Sequence, residues 1–295
     1  MTGRTRLLSL WIEAASWGFA ALGLLLPLAF HSAAFTAYRE ALARWASGSA
    51  SIPGADARLL DLMLGILGGS IAGKWIVHAA LARGPLRDGE AWARDLTLRG
   101  LASWFLVDSL ASVLLGAAFN VWMINLVPLA LVGAPLVLAH RAFGDAGPPP
   151  PLPAGGPARA CFLASLLGAA TGLAIAFGGS TPLFAPWFQG LGEAQYAGAA
   201  LPEPSRRLAL FFFGPIGGST LAQFLMLAGI ARREGASRRA ALAGCASIAA
   251  WFAIDSGYGL AGDGAFDVAM VNLPALAVTL PPWLLLAASL RAPRS

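Results

Sequence analysis

The sequence predicts an all-α integral membrane protein with eight transmembrane helices, arranged as two tandem parallel four-helix repeats. Of the 295 residues, 57% are apolar and only 12% are charged, and the mean hydropathy is +0.68. Soluble domains carry roughly 25% charged residues, so the bilayer is the expected solvent. Apolar stretches of spanning length recur along the chain, and the second half repeats motifs of the first.

The repeat is visible as motifs that return at nearly constant offsets. Gly65-Ile-Leu-Gly-Gly-Ser70 returns as Gly214-Pro-Ile-Gly-Gly-Ser219, 149 positions later. Trp104-Phe-Leu-Val-Asp-Ser109 returns as Trp251-Phe-Ala-Ile-Asp-Ser256, after a shift of two residues in the basic loop between them. Apolar composition alone does not place Trp, Asp and Ser in one ungapped register. We therefore predict a duplicated unit.

Domain boundaries follow from the repeat and from a proline-rich stretch. Residues 1–143 form the first four-helix unit, 144–158 a Pro/Gly-rich cytoplasmic linker, and 159–295 the second unit. Four successive prolines in the linker cannot continue a helix. The predicted spans are 7–30, 58–82, 100–118 and 121–140, then 160–180, 207–230, 241–261 and 267–290. The first span is longer than the core of a signal peptide, so we expect it to remain as a helix.

The distribution of arginine predicts the orientation. Arginine is concentrated at the start of the chain and in 83–99, 141–159 and 231–240, which places both termini in the cytoplasm. The expected location is a bacterial inner (plasma) membrane. The longer loops 31–57 and 181–206 then lie outside, and 34–46 has the spacing of an interfacial helix. Each unit crosses an even number of times, so the units are parallel and related by a pseudo-twofold axis along the membrane normal.

Charged residues inside the predicted spans are the candidate functional groups. An ionisable side chain at mid-membrane costs roughly 2.5–3.5 kcal/mol, which makes Asp108 and Asp255 notable. They occupy equivalent places in the third helix of each unit. Lys74, on the second helix, reaches toward the depth of Asp108, and its counterpart is Gln223. One interpretation is that Lys74 neutralises Asp108, whereas Asp255 has Gln223 beside it and no cation. The alternative is that the Lys74 side chain extends toward the cytoplasm and His78 is an interfacial histidine with satisfied hydrogen bonds.

Asn125 and Asn272 are added to this candidate ligand or ion site, near the outer ends of the fourth helices. The structural alternative is that these polar side chains only hold the bundle together.

A spacing of small residues every four positions predicts close helix packing. The predicted packing residues are Gly65, Gly69, Gly73, Gly214 and Gly218, so the second helices of the two units should be the most tightly packed.

Several function classes are not indicated. The sequence has no HExxH, GxSxG, Walker or Cys-x-x-Cys motif, so we expect no catalytic residues, no metal and no cofactor. Cys161 and Cys245 lie in apolar runs and are interpreted as small hydrophobic residues. The formal charge of +5 comes from arginines at helix ends, not from one basic soluble face, so nucleic acid is not an expected partner.

Gly23 and Pro27 lie near the outer end of the first helix, and Arg58 opens a second helix that carries Gly65 and Gly69. In these features the four-helix unit resembles the DoxX-like membrane proteins. The resemblance implies a fold and no particular activity.

The leading functional hypothesis is binding or transport of a small solute, ion or proton at the interface of the two repeats, with the lipid bilayer as surroundings. The alternative is a membrane-embedded accessory or assembly subunit that meets a membrane protein partner and uses its polar residues only for structure.

Overall fold

The computed structural model describes residues 3–49, 51–52, 54–145, 147–148, 150–234 and 237–290. These residues form helices joined by turns and loops, and no β-strand occurs among them. We number the main helices in chain order. They are α1 (Gly3–Leu24), α2 (Leu26–Phe30), α3 (Thr36–Ser47), α4 (Gly54–Leu81), α5 (Ala91–Leu114), α6 (Val121–Leu138), α7 (Gly156–Gly178), α8 (Ala185–Gln195), α9 (Glu203–Glu234), α10 (Arg238–Ala261) and α11 (Ala265–Ser289).

Irregular turns interrupt or join these helices. Three-residue turns precede α3 and α8 and follow α6, and a π-helical turn, Ala82–Leu86, extends α4. Helix α6 contains π-helical turns at Val121–Asn125 and Leu129–Gly133, and α11 contains one at Val268–Asn272. Such insertions are frequent at functional positions. Two of them end at Asn125 and Asn272, which the sequence analysis singled out.

Seven helices of the described part are long and apolar enough to cross a membrane: α1, α4, α6, α7, α9, α10 and α11. The prediction of an all-helical chain with several helices of spanning length is therefore confirmed, which is consistent with a multi-pass membrane protein. Helix α5, which corresponds to the predicted span 100–118, is not among the seven. Its 24 residues include Arg94, Asp95, Arg99 and Asp108.

Helices α4 and α9 form the centre of the bundle. Within their apolar windows, 83% and 89% of the residues are buried, against 28% in α1 and 22% in α11. The two central helices pack on each other, with α1 and α10 against α4, and α5 and α7 against α9. Each third helix of a half, α5 or α10, therefore lies mainly against the central helix of the other half.

Glycines allow each third helix to pack against the central helix of the other half. A Cβ on Gly69 would lie 2.8 Å from the carbonyl oxygen of Trp251 and 2.9 Å from the backbone nitrogen of Asp255. A Cβ on Gly218 would lie 3.1 Å from the carbonyl oxygen of Trp104. Only glycine lets backbones approach so closely, so Gly69 and Gly218 position the helices that carry the two buried aspartates. Gly65 also meets α10 and Gly214 meets α5, whereas Gly73 lies against Gln223 of α9.

The Pro/Gly-rich segment before α7 has no helix among its described residues and lies against the end of α9. Arg232 Nε donates a hydrogen bond to the carbonyl oxygen of Pro150 (2.7 Å), and Arg233 donates one to that of Pro148 (3.3 Å).

Candidate functional site

Two mainly apolar cavities lie beside the buried aspartates. Cavity 1 has a volume of about 330 Å³ and is enclosed by α1 to α6 together with Phe211, Phe212, Pro215 and Ser219 of α9. Cavity 2 has a volume of about 490 Å³ and is enclosed by α7 to α11 together with Met63, Ile66 and Ser70 of α4. Both volumes fall in the range of small-molecule sites. Asp108 lines the first and Asp255 the second.

A chain of hydrogen bonds holds Asp108 at the wall of cavity 1. Its Oδ1 accepts hydrogen bonds from Asn120 Nδ2 (2.9 Å) and Ser112 Oγ (3.2 Å). Asn120 Oδ1 accepts in turn from the hydroxyl of Tyr38 (2.8 Å). Burial, and after it the Asp108 carboxylate, hold the pKa of the Tyr38 phenol well above its usual value. Tyr38 of α3 therefore stays protonated and donates.

Lys74 is held by aromatic rings. Its ammonium lies 3.9 Å from the ring centroid of Trp104 and 5.0 Å from that of Trp75. Such cation–π contacts are strongest where water is excluded. Among the ion pairs of the described residues, none joins Lys74 to Asp108. Both side chains line cavity 1 without direct contact, so the neutralisation stays a prediction of an interaction across the cavity.

Cavity 2 contains a pair of carboxyl groups. Asp255 Oδ1 accepts a hydrogen bond from Asn272 Nδ2 (2.9 Å), and Asp267 Oδ1 accepts one from the indole nitrogen of Trp187 (2.7 Å). The carboxyls of Asp255 and Asp267 lie within hydrogen-bonding reach of each other. Two ionised carboxylates can only accept, so a hydrogen bond between them requires a proton on at least one.

The polar residues around Asp108 and Asp255 occupy corresponding positions in the two halves, but two of the side chains differ. Asp267 follows Asn120 by 147 positions, the same offset that separates Asp255 from Asp108. Trp187 follows Tyr38 by 149 positions. The sequence analysis missed these four residues (Tyr38, Asn120, Trp187 and Asp267). The repeat offsets contained the signal, because they align the indole with the phenol and the carboxyl with the amide.

The predicted polar core does not form one site. Lys74 and Asp108 line cavity 1, Asp255 and Asn272 line cavity 2, and Gln223 and Asn125 line neither. Gln223 does not lie beside Asp255: its Nε2 donates to Ser247 Oγ (2.9 Å), which donates to the carbonyl oxygen of Gly73 (2.8 Å). Gln223 therefore links α9 to α10 and α4, and it is not part of the lining of cavity 2. Asn125 Nδ2 donates to Ser109 Oγ (3.2 Å) and ties α6 to α5.

Four buried polar atoms at the cavity walls have no hydrogen-bond partner in the described part of the chain. Ser219 Oγ lines cavity 1, and Ser70 Oγ, Asp267 Oδ2 and Asn272 Oδ1 line cavity 2. Buried polar atoms of native proteins are normally paired, so these four unpaired atoms are exceptions at the walls of the cavities. No cluster of three or more His, Cys, Asp or Glu side chains suited to a metal occurs among the described residues.

Comparison of the chain with models of protein families, with curated proteins and with solved structures gives no match. The resemblance to DoxX-like proteins thus stays a prediction.

Proposed function

We propose that this chain is an integral membrane protein of two tandem four-helix units that crosses the bilayer eight times and moves a small solute or ion through cavities 1 and 2. One observation carries the proposal. The wall of each cavity includes the central helix of the other half, with Ser219 in cavity 1 and Ser70 in cavity 2. A displacement of one half against the other would change both cavities together, which is how repeat-built transporters alternate access.

The matched hydrogen bonds support the duplication. In the first half, Tyr38 donates to Asn120 beside Asp108. In the second half, Trp187 donates to Asp267 beside Asp255. Each buried aspartate therefore has the same two kinds of neighbour. One is an aromatic donor from the helix before the central helix, and the other is a polar residue at the start of the fourth helix.

Helix α5 supplies the eighth span of the proposal. Its 24 residues extend about 36 Å at the helical rise of about 1.5 Å per residue, which exceeds the roughly 30 Å hydrocarbon core. Its equivalent, α10, is one of the seven helices that qualify by length and hydropathy. The charges near the start of α5 are Arg94, Asp95 and Arg99. Arg94 is buried and donates to Asp95 and to the carbonyl oxygens of His140 and Phe143.

The topology of the proposal predicts which loops a membrane-impermeant thiol reagent reaches in intact cells. On a background with Cys161→Ala and Cys245→Ala, cysteine at the exposed Asp88 should stay unlabelled, and cysteine at the exposed Ser49 should be labelled. Labelling at 88 from outside would contradict the orientation. Position 236, another site for this test, lies outside the described residues, and it is expected to be protected as well.

Solvent access to the cavities is a requirement of the proposed function that can be measured directly. On the same background, Ser70→Cys and Ser219→Cys in purified protein should react with 2-aminoethyl methanethiosulfonate at least about tenfold faster than Ser165→Cys, because thiolate chemistry needs access. Ser165 is the matched control, since it is equally buried and does not line either cavity. The measurement is the rate of mass increase.

Equal, slow reaction at all three positions would mean that the cavities are sealed. The polar side chains would then serve packing alone, and the accessory or assembly subunit that meets a membrane protein partner would replace the proposal.

A further inference from the structure

Cavity 1 contains its own ammonium group, and cavity 2 does not. Lys74 places its ammonium against Trp104, and Trp251 occupies the equivalent position at cavity 2. The counterpart of Lys74 is Gln223, which is hydrogen-bonded to Ser247 and does not line cavity 2. It therefore leaves the place beside Trp251 free. Among the described residues that line cavity 2, the ionisable ones are Asp255 and Asp267.

The carboxyl pair therefore lacks a counter-charge. Asp255 and Asp267 are both buried, at 2% and 3% exposure, and the pair carries a negative charge whenever at least one of the two carboxyls is ionised. A buried charge is costly unless an opposite charge and hydrogen bonds accompany it. No cationic side chain of α4, α7, α8, α9, α10 or α11 reaches the described lining of cavity 2 to supply that charge.

The same wall offers free acceptors. Ser70 Oγ, Asp267 Oδ2 and Asn272 Oδ1 are buried, line cavity 2 and have no partner among the described residues. Carboxylate, hydroxyl and amide oxygens all accept hydrogen bonds. A ligand group that only donates, such as an ammonium, is complementary to such acceptors.

The rest of cavity 2 fits an apolar body that arrives through the bilayer. Its lining includes Phe184, Phe213 and Phe224. At its edge, the side chains of Leu167 and Leu183 are 55% and 70% exposed, on the outside of a bundle that the lipid surrounds in the proposed topology. The opening is therefore apolar, and the charged end of a ligand meets its partners only at the inner wall.

We propose that cavity 2 binds a protonated organic amine with an apolar or aromatic body, whose ammonium group takes the place beside Trp251 that Lys74 takes beside Trp104. This inference rests on the proposed function and names the class of solute for one of its two cavities. The bound ammonium neutralises the carboxyl pair, so that cavity 2 becomes neutral overall, as cavity 1 already is through Lys74 and Asp108.

The test measures the binding of three probes of similar size to the purified full chain by isothermal titration calorimetry. The probes are phenethylammonium, the neutral 2-phenylethanol and the anionic 3-phenylpropionate. Phenethylammonium should bind at least about tenfold more tightly than either of the others, because hydrogen bonds to a charged group are stronger than neutral ones.

Two variants assign this preference to cavity 2. The double change Asp255→Asn and Asp267→Asn removes the charge but keeps side-chain size, and Gln223→Lys supplies an internal ammonium where the first half has Lys74. Each should reduce the preference for phenethylammonium to less than about threefold. The matched control is Asp263→Asn, which removes an exposed carboxyl four residues before Asp267 and should change nothing.

The failures are distinguishable. A folded wild-type chain that binds the alcohol or the anion as tightly as the ammonium would overturn the amine class and leave solute binding in place. Absence of binding by all three probes, with Ser70→Cys still reactive, would also overturn the amine class. Absence of binding together with an unreactive Ser70→Cys would overturn the proposed function itself.

Discussion

Lys74→Gln and Asp108→Asn, introduced separately, are each expected to lower the free energy of unfolding by about 3 kcal/mol, because each leaves a buried charge without its counter-charge. Both residues are 1% exposed and line cavity 1. The amide at 108 can still accept from Asn120 and Ser112, so the loss reports charge and not a broken hydrogen bond. Unfolding of detergent-solubilised protein by increasing SDS measures it.

The double variant decides whether the two charges interact across the cavity. Lys74→Gln with Asp108→Asn should recover at least about 1 kcal/mol of the summed losses, because no isolated charge remains. The matched control combines Lys74→Gln with Asp56→Asn. Asp56 lies about 27 Å earlier along α4, so these two effects should add within about 0.5 kcal/mol. Additive losses for Lys74 and Asp108 would show that the ammonium is stabilised by Trp104 and Trp75 alone.

Gly23→Ala is the second large expected effect, a loss of about 3 kcal/mol in the free energy of unfolding, because the added methyl group has no room. A Cβ on Gly23 would lie 2.6 Å from the carbonyl oxygen of Gly68 and 2.9 Å from the backbone nitrogen of Ala72. Both atoms belong to the backbone of α4, so the methyl group can be accommodated only if α1 moves away from the central helix.

Gly18→Ala is the control, because Gly18 lies on the same helix and a Cβ there would meet nothing within 4 Å. Its effect should stay within about 0.5 kcal/mol. The same SDS unfolding compares the two variants. Equal effects at Gly18 and Gly23 would mean that α1 and α4 are not in close backbone contact.

Asp108, Asp255 and Lys74 could be recognised from the sequence because a charge inside an apolar stretch is expensive wherever that stretch packs. Asp267 could not be recognised in this way. It lies near the start of α11, where a carboxylate is usually solvated, and it becomes 3% exposed only because α8 folds back and places Trp187 over it. Tyr38 becomes part of cavity 1 for the same reason, through α3.

Gln223 shows the opposite error. Its alignment with Lys74 suggested a place beside Asp255, yet its amide bonds to Ser247. A Cβ on Gly73 would lie 2.7 Å from Gln223 Oε1, so the side chain lies against α4 and not in cavity 2. Aligned positions in the two halves of the chain thus make different contacts when the side chains differ in length and charge.

The sequence by itself determined the long apolar helices and the buried aspartates of this protein, because a helix satisfies its backbone hydrogen bonds within one segment and a mid-membrane charge is recognisable locally. Only the tertiary structure decided that α5 lies against α9 and α10 against α4, and that Asp255 therefore meets Asp267 at the wall of cavity 2. The apolar faces of these helices are chemically alike. The choice between partners depends on where Gly69 and Gly218 let backbones approach, which is a fit between distant segments that no local pattern contains.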